Sequence, residues 1–124
     1  MMLALHRTPE DVAAELGRVA QRIPDGFSAT ALFELVTTNQ AQAFPLPHSS
    51  IVACLYTNGE AHILAAAGRM SELLAFEPTL CRFYSERGAR IITLAGRKGW
   101  QRVLAPRGWV RDGDRLVKRI ALDG

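Results

Sequence analysis

The pair Asn58-Gly59 stands between two runs of strand-forming residues, 51–56 and 61–67. Glycine takes a positive φ at no steric cost and asparagine tolerates one, which a tight reversal between two strands requires. The stretch therefore reads as a β-hairpin, with Cys54 on its first arm and His62 on its second. A lone hairpin is marginal in water, so the rest of the chain has to supply further strands and helices that cover it.

Downstream residues supply them. Gly68-Arg69 breaks the second arm, and Ser71-Glu72 opens a helical segment carrying Leu73, Leu74 and Phe76. Pro78 lacks an amide proton and clashes with the preceding turn, so a break or a fresh helix is expected near Glu77, with Leu80, Cys81, Phe83 and Tyr84 turned inward. Arg87-Gly88 supplies a cationic last turn and a left-handed cap. Residues 91–94 are a short apolar strand, and a strand, helix, strand order of this length reads as a right-handed crossover joining parallel strands. Gly96-Arg97-Lys98-Gly99 leads into a short helix bearing Trp100, Val103 and Leu104, which ends at Pro106 or Gly108. Trp109 and Val110 begin an extended piece, Asp112-Gly113 marks a turn, and residues 116–122 alternate as a last strand, expected antiparallel at the sheet's end.

Upstream, Thr8-Pro9-Glu10-Asp11 is a capped helix start. Val12, Leu16, Val19, Ala20 and Ile23 follow at helical spacing as far as Pro24-Asp25-Gly26. Ser28 and Thr30 cap a second helix with Leu32, Phe33, Leu35 and Val36, fading near Asn39. Pro45 and Pro47 limit any strand in 43–50 to a short or edge position. The expected fold class is α/β (α+β): one domain over 1–124, helical over 1–40, with a mixed sheet and helices over 41–124.

Apolar residues make up 48% and charged residues 22% of 124, an ordinary balance for one globular core. No run has the roughly 18 apolar residues that a membrane span needs, and 1–7 lacks a signal-peptide pattern, so the expectation is a soluble, non-exported protein. Cys54 and Cys81 have no CxxC or Cys/His cluster around them and read as buried apolar residues of a reducing compartment. His6, His48 and His62 show no ligand spacing, so no metal is expected. Ser49 and Ser50 have no partner in sequence that would make either a nucleophile.

The net charge of +3 conceals an asymmetry: residues 87–124 hold ten Lys/Arg against three Asp, a net of +7, and residues 1–86 a net of −4. A positive surface field favours nucleic acid, an acidic protein or a phosphate-bearing ligand. A solvated charged face is the plain alternative. Arg97, Lys98, Arg102, Trp109 and Arg111 are the candidate partner-binding residues, although no nucleic-acid motif accompanies them.

The hairpin, helix, strand, helix, strand order resembles the C-terminal half of the GNAT acyltransferase superfamily. The closer resemblance is to small tailed-bacteriophage proteins with a GNAT-like fold. It rests on Ala41-Gln42-Ala43-Phe44-Pro45, Leu73-Leu74-Ala75-Phe76-Glu77-Pro78, Arg87-Gly88 and above all Gly96-Arg97-Lys98-Gly99-Trp100 with Gly108-Trp109, and covers roughly 27–122. GNAT enzymes bind the pyrophosphate of coenzyme A on an Arg/Gln-x-x-Gly-x-Gly/Ala loop. Here the aligned stretch is Ala65-Ala66-Ala67-Gly68-Arg69-Met70, which keeps only Gly68 and adds Arg69. The family's general-acid Tyr, four residues before a Gly-Phe pair, falls on Leu104, and Tyr84 lies on another helix.

The resemblance with these two departures implies a phage virion-associated or assembly protein. Such a protein would be non-catalytic and without cofactor, and would contact other phage structural proteins in the host cytoplasm or the virion. It implies, as the alternative, an N-acyltransferase using acetyl-CoA at Gly68 and Arg69 with His62 or Glu60 as base. Nucleic-acid binding through the basic C-terminal third is the third expectation.

Overall fold

The computed structural model describes residues 34–95 and 98–121; the helices expected over 8–33 and the Gly96-Arg97 pair lie outside the described residues. Among the described residues, a helical end at 34–37 is followed by β1 (Gln42–Pro45), β2 (Ser50–Leu55), β3 (Glu60–Ala67), α1 (Met70–Ser85), β4 (Ile91–Ala95), α2 (Lys98–Leu104), β5 (Val110–Asp112) and β6 (Arg115–Arg119), with a 3₁₀ turn at Ala105–Arg107. The strands form one mixed sheet in the order β1-β2-β3-β4-β6-β5. The chain groups into two compact units, the first comprising Met1–Cys54 with Leu64–Glu77 and the second Leu55–Ile63 with Pro78–Gly124.

In the first unit β1 pairs antiparallel with β2 at the sheet's edge, the place that Pro45 permits because an edge strand needs only one set of ladder bonds. Residues 50–54 of β2 are all buried, which explains its unbroken apolar run: a strand covered on both faces has no polar alternation to show. Val36, Ala41, Val52 and Cys54 form a core cluster, with Leu64, Ala65 and Ala67 against it. Phe44 and Phe76 add a tilted ring contact at 5.7 Å. The helical residues before β1 end at 37, and a turn follows to Asn39, whose φ of 61° marks the expected fade.

In the second unit the hairpin turn uses Gly59, at φ 85°, while Asn58 keeps a negative φ. Gly59 N–H donates to Tyr56 C=O and Tyr56 N–H to Glu60 C=O, a type I turn closed by a left-handed glycine rather than two positive-φ residues. Asn58 contributes by its side chain, whose Oδ1 accepts from Glu60 N–H at 3.0 Å. β4 runs parallel to β3, as the strand, helix, strand order requires.

Two expectations need correction. α1 runs unbroken through Pro78; the missing donor leaves only the Leu74 carbonyl unserved inside the helix, a cost that burial of Leu73, Leu80, Cys81 and Tyr84 along one stripe offsets. The last strand is not at the sheet's end: β6 lies between β4 and β5 and pairs antiparallel with both, and β5 is the edge. Leu116, 1% exposed, needs cover that an edge strand does not provide.

α1 ends in a left-handed Gly88, at φ 95°, with Ala89 N–H donating to Tyr84 C=O. Arg87 closes it by laying its guanidinium 3.5 Å over the Phe83 ring. Cys54 and Cys81 are both buried and form no disulfide.

Candidate functional site

Strand register decides which polar groups meet. β3 and β4 pair over four positions, Glu60↔Ile91 to Ile63↔Leu94, and β3 continues to Ala67 beyond the ladder. His62 faces Thr93, Thr93 faces Val117 on β6, and Val117 faces Val110 on β5. Cα partners share a face, so these four residues form one row across four strands.

Within that row His62 Nδ1 lies 2.6 Å from the Thr93 hydroxyl. Thr93 is 0% exposed and donates to Ala61 C=O at 3.2 Å. The Tyr56 ring stacks beside the imidazole at 6.3 Å and 24°, and remains 46% exposed. Glu60, two residues before His62 on the same face, is bound by Arg115 at 3.1 Å, and Arg115 also reaches Asp112 at 3.4 Å. Burial pushes the His62 pKa below its ordinary value; the Glu60 carboxylate works against this and the Arg115 guanidinium adds to it. The ring is therefore neutral at physiological pH, and a neutral imidazole has one nitrogen free to take a proton. An open groove of about 470 Å³ on β5 and β6 is lined by Gly108, Val110, Asp112, Val117, Lys118 and Arg119.

The Gly68-Arg69 turn in the first unit is built differently. Gly68 has φ 130°, and a Cβ on it would collide with the backbone and side chain of Ser49, so only glycine fits. Ser49, fully buried, accepts the Arg69 N–H at 3.0 Å, and its hydroxyl bonds the Glu72 carboxylate, which also accepts the His48 N–H at 2.9 Å. The Ser49 bond foremost holds the Glu72 pKa below its ordinary value. The amide of Arg69 is thus already used by the chain itself. Among the described residues the N–H groups of Met70 and Ser71, which open α1, meet no acceptor.

The other sequence candidates scatter. Trp109 is 3% exposed and belongs to the core, so its ring offers a partner no surface. Arg111 braces the β5–β6 turn, giving Nε to Gln101 Oε1 and Nη1 to Gly113 C=O, each at 2.9 Å. Arg102 is exposed on α2 and Lys98 begins that helix; Arg97 lies outside the described residues. Leu104, 3% exposed, and Tyr84, 0% exposed, are both core. Among the described residues no helix is long and apolar enough to cross a membrane, and no three potential metal ligands cluster.

Sequence reasoning singled out His62 and Glu60 but missed Thr93, Tyr56 and Arg115. Thr93 and Arg115 reach His62 and Glu60 through pairings more than 30 residues apart. The only local signal was the polar residue inside the apolar run Ile91-Ile92-Thr93-Leu94.

No family model matches the sequence, and no curated protein matches it either. Solved structures do match in fold. Aminoglycoside 6'-acetyltransferase type Ii superposes with a TM-score of 0.65 at 15% identity, over 94% of this chain and 92% of that one. Ard1 from Thermoplasma volcanium gives 0.64 at 15%, over 94% and 96%. The ribosomal-protein-S18-alanine N-acetyltransferase from Escherichia coli gives 0.64 at 13%, over 93% and 90%. The fold is that of the GNAT N-acetyltransferases. Identities this low establish the fold alone, so any chemistry has to come from the site.

Proposed function

We propose that this protein transfers an acyl group from a thioester donor of the acyl-coenzyme A type to an amine, with His62 as general base. The observation that carries the reading is a half-buried imidazole with Nδ1 against a buried hydroxyl on the neighbouring strand; burial favours its neutral form. The GNAT-like fold is its second support.

The fit of the donor is partial. Gly68 leaves no open cradle, since Ser49 fills it, and the Arg69 amide is taken. The free amides of Met70 and Ser71 at the positive end of a 16-residue helix, with the Arg69 side chain beside them, suit one phosphate group. Glu72 in the same first turn opposes a second negative charge. When bound, the donor supplies an activated acyl carbonyl.

The chain's own residues do the rest. His62 Nε2 takes the proton from the acceptor amine as its nitrogen bonds the acyl carbon and the carbon–sulfur bond breaks. The Glu60–Arg115–Asp112 chain balances charge beside the ring. Leu104 cannot protonate the departing sulfur, but a thiolate, with a thiol pKa of roughly 8.5, leaves without an acid. The groove around Val110 and Val117 offers the acceptor a place on the same sheet face.

A binding-only role, such as that of a phage assembly or virion protein, is the second reading; the buried Leu104 and the Ser49-capped Arg69 amide favour binding without turnover and say nothing of the partner. Calorimetry with coenzyme A and a thiol-release assay with acetyl-coenzyme A and small amines separate the two. Heat at millimolar ligand and turnover lost in His62→Gln are expected for the transferase; silence in both leaves the binding role.

A further inference from the structure

Thr93 has a single hydroxyl proton and two neighbours within hydrogen-bond reach, His62 Nδ1 at 2.6 Å and Ala61 C=O at 3.2 Å. A hydroxyl donates once and accepts through its lone pairs, whereas a neutral imidazole carries its proton on either nitrogen. Were the hydroxyl proton directed at Nδ1, the contact with Ala61 would cease to be a hydrogen bond. Were it directed at the carbonyl, Nδ1 would have to be the donor. Only one assignment makes both contacts hydrogen bonds, and at a position that is 0% exposed no water stands in for a lost one.

We infer that Thr93 is a positioning residue that fixes His62 in the Nδ1–H tautomer, so that Nε2 carries the lone pair. The tautomer follows from the contacts of Thr93 alone; its catalytic consequence rests on the acyl-transfer reading above.

The arrangement also suits a base that cycles. The charged ring carries a proton on both nitrogens, so Nδ1 donates to Thr93 before and after proton uptake, and only Nε2 changes. The buried hydroxyl never has to turn. Among the described residues the charged and titratable groups around the ring are Glu60 on its own strand, Arg115 on β6, Asp112 on β5 through Arg115, and the Tyr56 phenol after β2. Glu60 is held by Arg115, which leaves the tautomer to Thr93 rather than to a carboxylate.

The test is ¹⁵N NMR of the labelled imidazole in the full chain, followed over pH for the wild type, Thr93→Val and Thr93→Ser. Above the ring's pKa the wild type and Thr93→Ser should show Nδ1 protonated and Nε2 bare. Thr93→Val, nearly the same shape without the hydroxyl, should move to a mixture containing the Nε2–H form. In turnover, Thr93→Val should lose roughly tenfold or more in kcat at similar KM, part of the ~10²–10⁴ that a positioned base contributes, and Thr93→Ser should recover most of it. A wild-type ring dominated by Nε2–H, or a Thr93→Val spectrum identical to wild type, overturns the inference. The NMR result with no turnover in any variant keeps the tautomer and removes the transferase reading instead.

Discussion

His62 lies within β3 and Gly68 follows directly after it, yet the chain treats the polar groups at the two places in opposite ways. Around Gly68 the groups bind one another: Ser49 takes the Arg69 amide, and Glu72 takes the Ser49 hydroxyl and the His48 amide. Around His62 the chain secures one ring nitrogen and, among the described residues, gives the other no partner. A glycine that admits no side chain is fixed by geometry and serves stability. A neutral ring held at one end keeps its chemistry available, and this contrast favours His62 over the turn as the seat of the proposed reaction.

The largest effect that could break the contrast is at Gly68. Alanine there meets the Ser49 backbone and a φ of 130° together, so Gly68→Ala should cost about 3 kcal/mol or more of stability. Denaturant unfolding near wild-type values would show that the turn is not locked. Ser49→Ala comes next. It leaves the Arg69 amide short of its partner, and that loss should cost about 1–2 kcal/mol; an unchanged melting midpoint would make the Ser49 contacts incidental.

The smallest effect separates the regions by pH. Burial first, then Arg115 against the pull of Glu60, lowers the folded pKa of His62 below 6.5. The unfolded chain therefore takes up the proton first on acidification. The contribution of the neutral ring is intact above 6.5 and is lost as pH falls towards the lowered folded value. Glu72, lowered from 4.5 chiefly by Ser49, has the same sign in a more acidic window. Melting curves of His62→Gln should lose the upper limb of this decline and keep the lower; a variant that follows the wild type through both limbs would remove burial of His62 as the cause.

Most of the fold was legible because its signals are local. Asn58-Gly59, the broken run at Gly68, the Arg87-Gly88 stop and the Asp112-Gly113 turn each act over a few residues, and all four fall at element ends in the structure. Pro78 was misleading for a tertiary reason, since packing on both sides of the proline holds α1 together. Trp109 misled as well: an indole beside a charged turn reads as a partner-binding residue, and only the packed fold buries it.

By itself the sequence determined the hairpin, the crossover to a parallel strand, the basic C-terminal third and the absence of a phenol at position 104. It also determined that His62 lies inside a strand. Tertiary structure alone decided that β6 enters between β4 and β5, that Ser49 fills the space at Gly68, and that Thr93 meets His62. Turns and caps are written in neighbouring residues, whereas strand order and register emerge from burial summed over the whole sheet, so the hydroxyl that orients the ring comes from 31 positions away.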